Sequence, residues 1–129
     1  RELAQRLAAS EQRLRQDTQA IQKIVYDENG IFAQARETSC SPMPSDADSV
    51  KADTDFRLIV SHYELYYRAA VLGAIPTARW RSICAGARRL FEDNCLLQAK
   101  WTAQKREADS GFSAAFIPDC TIAKGDRQQ

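Results

Sequence analysis

Residues 56–77 read FRLIVSHYELYYRAAVLGAIPT. Here Phe56, Ile59, Val60, Tyr63, Tyr67, Ala70 and Val71 recur at intervals of three and four residues, the spacing that lines side chains along one side of an α-helix. No alternation of apolar and polar residues competes, so the stretch predicts helix rather than strand. Asp53, Thr54 or Asp55 can cap its start. Gly73 stops it, because glycine enters the left-handed conformation common at helix ends without a Cβ clash, and Ile75 is placed for the hydrophobic contact that accompanies such a stop. Pro76 and Thr77 then open the next helix. Helices joined over so few residues form a hairpin or a sharp corner.

Outward from this corner the chain stays helical. Residues 78–106 predict a long central helix with two adjoining apolar stripes, one of Trp80, Cys84, Phe91 and Cys95 and one of Ile83, Leu90, Leu97 and Trp101. Two stripes about 100° apart let one helix touch two neighbours. Upstream, the segment from Arg1 to about Tyr26 lacks Pro and Gly, and Leu3, Leu7, Leu14, Ile21 and Ile24 share a stripe. Leu7, Leu14 and Ile21 repeat as a heptad column, but Ser10 and Asp17 interrupt the companion column, so a plain amphipathic helix is favoured over a sustained coiled coil. Asp27 to Gly30 end that helix, with Gly30 expected in the left-handed capping position, and a short helical turn follows at 31–36.

Between Glu37 and Asp55 the composition turns to Ser, Pro, Asp and Thr, and Pro42 and Pro44 interrupt regular structure, so a long, mobile surface loop is expected. After the central helix, Asp109, Ser110 and Gly111 read as a break. Phe112, Phe116, Ile117 and Ile122 form a short amphipathic return around Pro118, and the polar residues 124–129 read as a frayed tail. The expected architecture is one all-α domain over 1–129: an N-terminal helix and turn (1–36), a Pro/Ser/Asp loop (37–55), a helical core (56–123) and the tail.

Eighteen Lys and Arg against seventeen Asp and Glu leave a formal charge of +1, so no bulk field draws the protein to nucleic acid or anionic lipid. Hydrophobic residues at 44% and charged residues at 27% match ordinary globular usage and exclude a disordered chain. The most apolar stretch, residues 69–75, is too short to span a bilayer. Four cysteines without a Cys-x-x-Cys spacing, and His62 as the sole histidine, argue against a structural zinc site. Cys84 and Cys95 read as small buried hydrophobes. The even count also permits two disulfides in three connectivities. On one straight helix Cys84 and Cys95 lie about 16 Å apart, so any bridge runs to Cys40 or Cys120.

Chemistry-bearing constellations are sparse, and the chain reads as non-enzymatic and without a cofactor. His62 and Glu64, two positions apart, point to different sides of a helix and cannot cooperate locally; His62 reads as the polar shoulder of a packed helix. Asp46, Asp48, Asp53 and Asp55 lack the glycine of a calcium loop, and Arg57 stands at the position of its final carboxylate. The best candidate for an interaction surface is the basic third helix, with Arg79, Arg81, Arg88 and Arg89 beside Trp80 and Trp101, together with Tyr66 from the aromatic cluster Tyr63, Tyr66 and Tyr67. Glu92 and Asp93 interrupt the basic run, so a protein partner is favoured and nucleic acid is the alternative.

Phe56 to Tyr67, followed by Gly73-Ala-Ile-Pro and then Trp80 to Phe91, resembles a bacterial family of uncharacterised helical domains over about half the chain. Tyr63-Glu64-Leu65 and Gly73 occupy that family's aromatic-Glu-Leu motif and corner, and Val25-Tyr26-Asp27 with residues 31–36 looks like its linker segment. The chain's own residues read as a non-enzymatic interaction or sensory domain; the resemblance implies a membrane anchor upstream of Arg1 and carries no activity with it. It also implies a place at the cytoplasmic face of the bacterial inner membrane or in the cytoplasm, since Arg1, Arg6, Arg13 and Arg15 would follow the anchor. A periplasmic domain with one or two disulfides is the alternative. The acidic Pro-Ser loop and the cysteines depart from the family pattern.

Overall fold

The computed structural model describes residues 2–104, 110–116 and 120. Among them are six helices and no strand: α1 (Glu2–Tyr26), α2 (Ile31–Glu37), α3 (Asp46–Val71), α4 (Thr77–Glu92), α5 (Cys95–Gln104) and α6 (Ser110–Phe116). The fold is the small all-α bundle that the periodicities predict. Helix α3 lies at its centre, packed by α1 on one side and by α4 and α5 on the other. Beneath α3 sits an aromatic block organised on Phe116, whose ring lies 4.9 Å from Phe112, 5.3 Å from Phe91, 5.3 Å from Trp101 and 5.5 Å from Tyr63. Rings at these separations add edge-to-face and offset stacking to plain area burial.

The corner between α3 and α4 forms as its residues dictate. Gly73 has φ +78°, the Gly73 N–H reaches the Ala70 carbonyl at 3.1 Å, and the Ala74 N–H reaches Ala69 at 2.8 Å, so the last carbonyls of α3 are satisfied. Ile75 is buried beside it. Gly30, by contrast, is not left-handed: at φ −86°, ψ 162° it is the extended N-cap of α2.

The loop over 37–55 is shorter than its composition suggests. Only Thr38–Ser45 leave the helices, because Ser45 caps α3 eight residues before Asp53, accepting a hydrogen bond from the Asp48 N–H. Asp46 and Asp48 in the first turn complement the helix dipole, and Ala52 is fully buried. Lys100 then binds Asp53 at 2.5 Å and Gln104 binds it at 3.0 Å, fastening this start to α5.

The central helix over 78–106 is broken. Asn94 is almost fully buried, its Oδ1 accepts from the Leu96 and Leu97 N–H groups at 3.1 Å, and its Nδ2 donates to the Phe32 carbonyl of α2. A side chain that caps a new helix while binding a distant carbonyl outweighs continuation of the old one. Ser110 and Gly111 belong to α6 rather than to a break. Asp109, Ile117, Pro118, Ile122 and the tail lie outside the described residues.

Cys84 and Cys95 are not free thiols: Cys40 bridges Cys95 and Cys84 bridges Cys120, with Cα atoms 6.1 and 5.7 Å apart. Both run to Cys40 or Cys120, although Cys84 and Cys95 stand on separate helices, so the straight-helix argument does not itself decide the pairing. They close separations of 55 and 36 residues. By chain entropy each is worth about 4 kcal/mol. Cys40–Cys95 joins the end of α2 to the start of α5, and Cys84–Cys120 joins α4 to the residue beyond α6.

Candidate functional site

Helix α3 carries apolar residues on two sides. Ala52, Phe56, Ile59, Tyr63, Tyr66 and Ala70 face inward and are buried, following each other at four and three residue steps. Leu58, Leu65 and Leu72 lie seven residues apart on the outward side, and they are 55%, 55% and 64% exposed. Between them Ser61 and Arg68, and before them Thr54, are also exposed, so this face runs uncovered along the helix. A repeat of seven keeps leucines in one row, the pattern with which helices meet other helices.

The outward row is flanked by a cleft of about 270 Å³ between α3 and α1, walled by Leu58, Leu65, Ala20 and Ile24. Its floor holds His62. Helix α1 reaches this position along Leu14, Thr18, Ile21 and Val25, so the companion column of the heptad is Glu11, Thr18 and Val25, not Ser10 and Asp17. Its polar members find partners across the seam: Glu11 pairs with Arg79 of α4, and Thr18 with His62 of α3. In the first turns of α1 every described side chain from Glu2 to Ser10 is exposed.

The Thr18 hydroxyl donates to the Leu14 carbonyl at 2.9 Å and lies 2.7 Å from His62 Nε2. With its proton committed to Leu14, the hydroxyl accepts from His62, which assigns the ring proton to Nε2. Burial holds the His62 pKa below its ordinary 6.5, opposed by nearby Asp17. Burial likewise pushes Tyr63 up to about 12, aided by Tyr66 and Tyr26. Tyr66 is raised mainly by burial, with Thr18 and Arg15 opposing, and its hydroxyl makes no hydrogen bond of good geometry. These groups form a structural polar seam with its donors turned inward. Glu64, the other half of the sequence pair, faces away and contacts Arg68 at 3.9 Å.

The residues expected to form an interaction surface are dispersed. Tyr66 is fully buried, with its ring edge-on to His62 at 5.3 Å, so it faces no partner. Arg79 is engaged by Glu11, and Arg88 contacts Glu92 at 3.6 Å, while Arg81 and Arg89 are exposed. Trp80 is fully buried and Trp101 nearly so, which removes the aromatic surface from the basic helix. The acidic group is dispersed too, since Asp53 is taken by Lys100. Among the described residues, no helix is long and apolar enough to cross a membrane. The leucine row was present in the sequence as a seven-residue repeat, hidden because the buried stripe already accounted for the helix. Compared with protein-family models, curated proteins and solved structures, the chain finds no match, so the function of this face is argued from its own residues.

Proposed function

We propose that this chain is a non-enzymatic protein-interaction domain that receives the apolar side of a partner helix on the outward face of α3, with Leu58 and Leu65 as anchors. The observation that carries this reading is the row Leu58, Leu65 and Leu72, each more than half exposed on a helix otherwise well packed. Scattered exposed leucines are ordinary on protein surfaces, but a heptad row beside an apolar cleft has the layout of helix-in-groove recognition. Nucleic-acid binding through α4 is the weaker alternative, since among the described residues only Arg81 and Arg89 of the four arginines stand exposed and without an ion pair to a carboxylate. The two disulfides favour an oxidising compartment, so we adopt the periplasmic alternative over the cytoplasmic one. An upstream anchor rests on the family resemblance alone.

The test is titration of a fluorescent amphipathic helical peptide, with leucines at i, i+3, i+4 and i+7, into the intact domain. Saturable binding that weakens at least about tenfold in Leu65→Asp, with an unchanged melting midpoint, is expected. Absence of binding, or binding indifferent to Leu65→Asp, contradicts the reading.

A further inference from the structure

The two disulfides sit in different surroundings. Cys84 and Cys120 are 0% and 4% exposed, and Cys84 Sγ lies 3.0 Å from the Phe116 carbonyl oxygen at the edge of the aromatic block. Cys40 and Cys95 are only half-buried. Beside Cys40, the residues Ser39, Ser41, Pro42 and Met43 are all exposed, whereas Cys95 is flanked by buried Asn94 and Leu96. Exchange requires a thiolate to reach one sulfur of the bond, so access selects the Cys40–Cys95 bridge and, within it, Cys40. Loop length does not separate the two bridges, because chain entropy grows only slowly with separation and values of 55 and 36 residues stabilise almost equally.

The backbone at Cys40 adds a driving force. Ser39 and Cys40 have φ +51° and +58°, two successive non-glycine residues in the left-handed region, a conformation that persists only where the surroundings hold it. Here it is held by the Ser39 N–H donating to the Arg36 carbonyl at 3.2 Å, by the Cys40 N–H donating to the Ala35 carbonyl at 2.7 Å, and by the bridge to α5. Removing the bridge lets both residues return to negative φ. Cys120 is also left-handed at φ +58°, but its burial denies a thiolate access. Helix α2 itself has other anchors, since Phe32, Ala33 and Ala35 are buried and Asn94 Nδ2 donates to the Phe32 carbonyl at 3.1 Å. What the bridge fastens is the end of α2 and the connection Thr38–Ser45 that leads to α3.

We propose that Cys40–Cys95 is a redox switch, opened by a dithiol reductant while Cys84–Cys120 stays closed, and that its opening frees the Thr38–Ser45 connection without unfolding the bundle. One thiolate of the dithiol attacks Cys40 Sγ, forming a mixed disulfide as the Cys40–Cys95 bond breaks. Cys95 leaves as a thiolate and takes a proton from water. The second thiolate of the dithiol then attacks the dithiol's own sulfur in the mixed disulfide, releasing the Cys40 thiolate, which is protonated in turn. Two electrons pass to the cysteine pair, and the reductant departs as its disulfide. In an oxidising compartment the switch rests closed, and accessible, strained bridges are the ones that open for regulation.

The test is graded dithiothreitol on the folded, doubly bridged chain, quenched by alkylation and read by peptide mass mapping. Cys40 and Cys95 are expected to be alkylated at least about tenfold faster than Cys84 and Cys120, a preference that vanishes in denaturing urea. In the singly reduced chain, helical circular dichroism is expected to persist, while amide exchange rises at least about tenfold over residues 38–45 and stays unchanged over 110–116. Ser39→Gly, which adopts a left-handed φ without a Cβ clash, is expected to require roughly fivefold more dithiothreitol at half-reduction. Equal rates, first opening of Cys84–Cys120, or a preference that survives urea overturns the proposal. So does a singly reduced chain that loses its helices or exchanges no faster over 38–45, and so does a Ser39→Gly chain that reduces like the unaltered one.

Discussion

The inner and outer faces of α3 are both built on apolar residues in heptad rows, yet the inner one is closed from several directions and the outer one is bare. Inward, Phe56, Tyr63 and Tyr67 meet rings from α4 and α6, and the Cys84–Cys120 bridge holds α6 in that arrangement. Outward, Leu58, Leu65 and Leu72 stay more than half exposed, Leu58 and Leu65 at the edge of the cleft against α1. Periodicity therefore identifies a helix that has work on two sides, but not which side the chain itself covers. Stability should reside in one face and association in the other.

The largest expected effect lies on the inner face. Replacing Cys84 and Cys120 by serine should lower the unfolding free energy by about 4 kcal/mol, read from urea denaturation, because a loop of 36 residues is released and α6 loses its tether. Leu90→Ala should cost about 2 to 5 kcal/mol in the same assay, since Leu90 is only 5% exposed. A loss well under 1 kcal/mol in either case would show that the inner face is less closed than its packing implies.

The α1 seam should give a smaller, pH-dependent effect. His62 has a folded-state pKa below its unfolded value, so the unfolded chain binds the proton more readily. Stability is then full above about pH 6.5 and falls as the pH drops from there toward the lowered folded value, by at most about 1.4 kcal/mol per pH unit. His62→Gln should abolish that component. Asp53, whose pKa is lowered chiefly by its Lys100 hydrogen bond, adds a separate loss below about pH 4. A stability profile flat from pH 7 to 5 would contradict the buried, neutral His62 and loosen the link between α1 and the cleft.

Much of this arrangement was legible in the residues. Helix over 2–26 and 56–71, the glycine stop at Gly73 and the immediate restart after Pro76 follow from short-range rules that the structure obeys. What was not legible depends on partners distant in sequence. Ser45 competes with Asp53 as a cap, and the Lys100–Asp53 contact favours the longer helix from 47 residues away. Asn94 breaks the central helix because Phe32 offers its carbonyl from 62 residues away. The sequence places Ser10 and Asp17 in the companion column of α1, whereas the seam runs through Glu11 and Thr18, whose partners Arg79 and His62 lie on distant helices. Of the expected surface residues, Tyr66 was misplaced because a tyrosine at helical spacing serves a core and an interface equally well, and only burial separates the two.

The central claim, that α3 divides stability from association between its two faces, is tested most directly by measuring both quantities on Leu65→Asp. This side chain is 55% exposed, on the side of α3 away from its buried residues. The account predicts a urea midpoint within about 0.5 kcal/mol of the unaltered protein, together with at least about tenfold weaker association with an amphipathic helix. A variant that unfolds readily, or one that associates as well as the unaltered chain, would place Leu65 in the core or leave the outward face without a function.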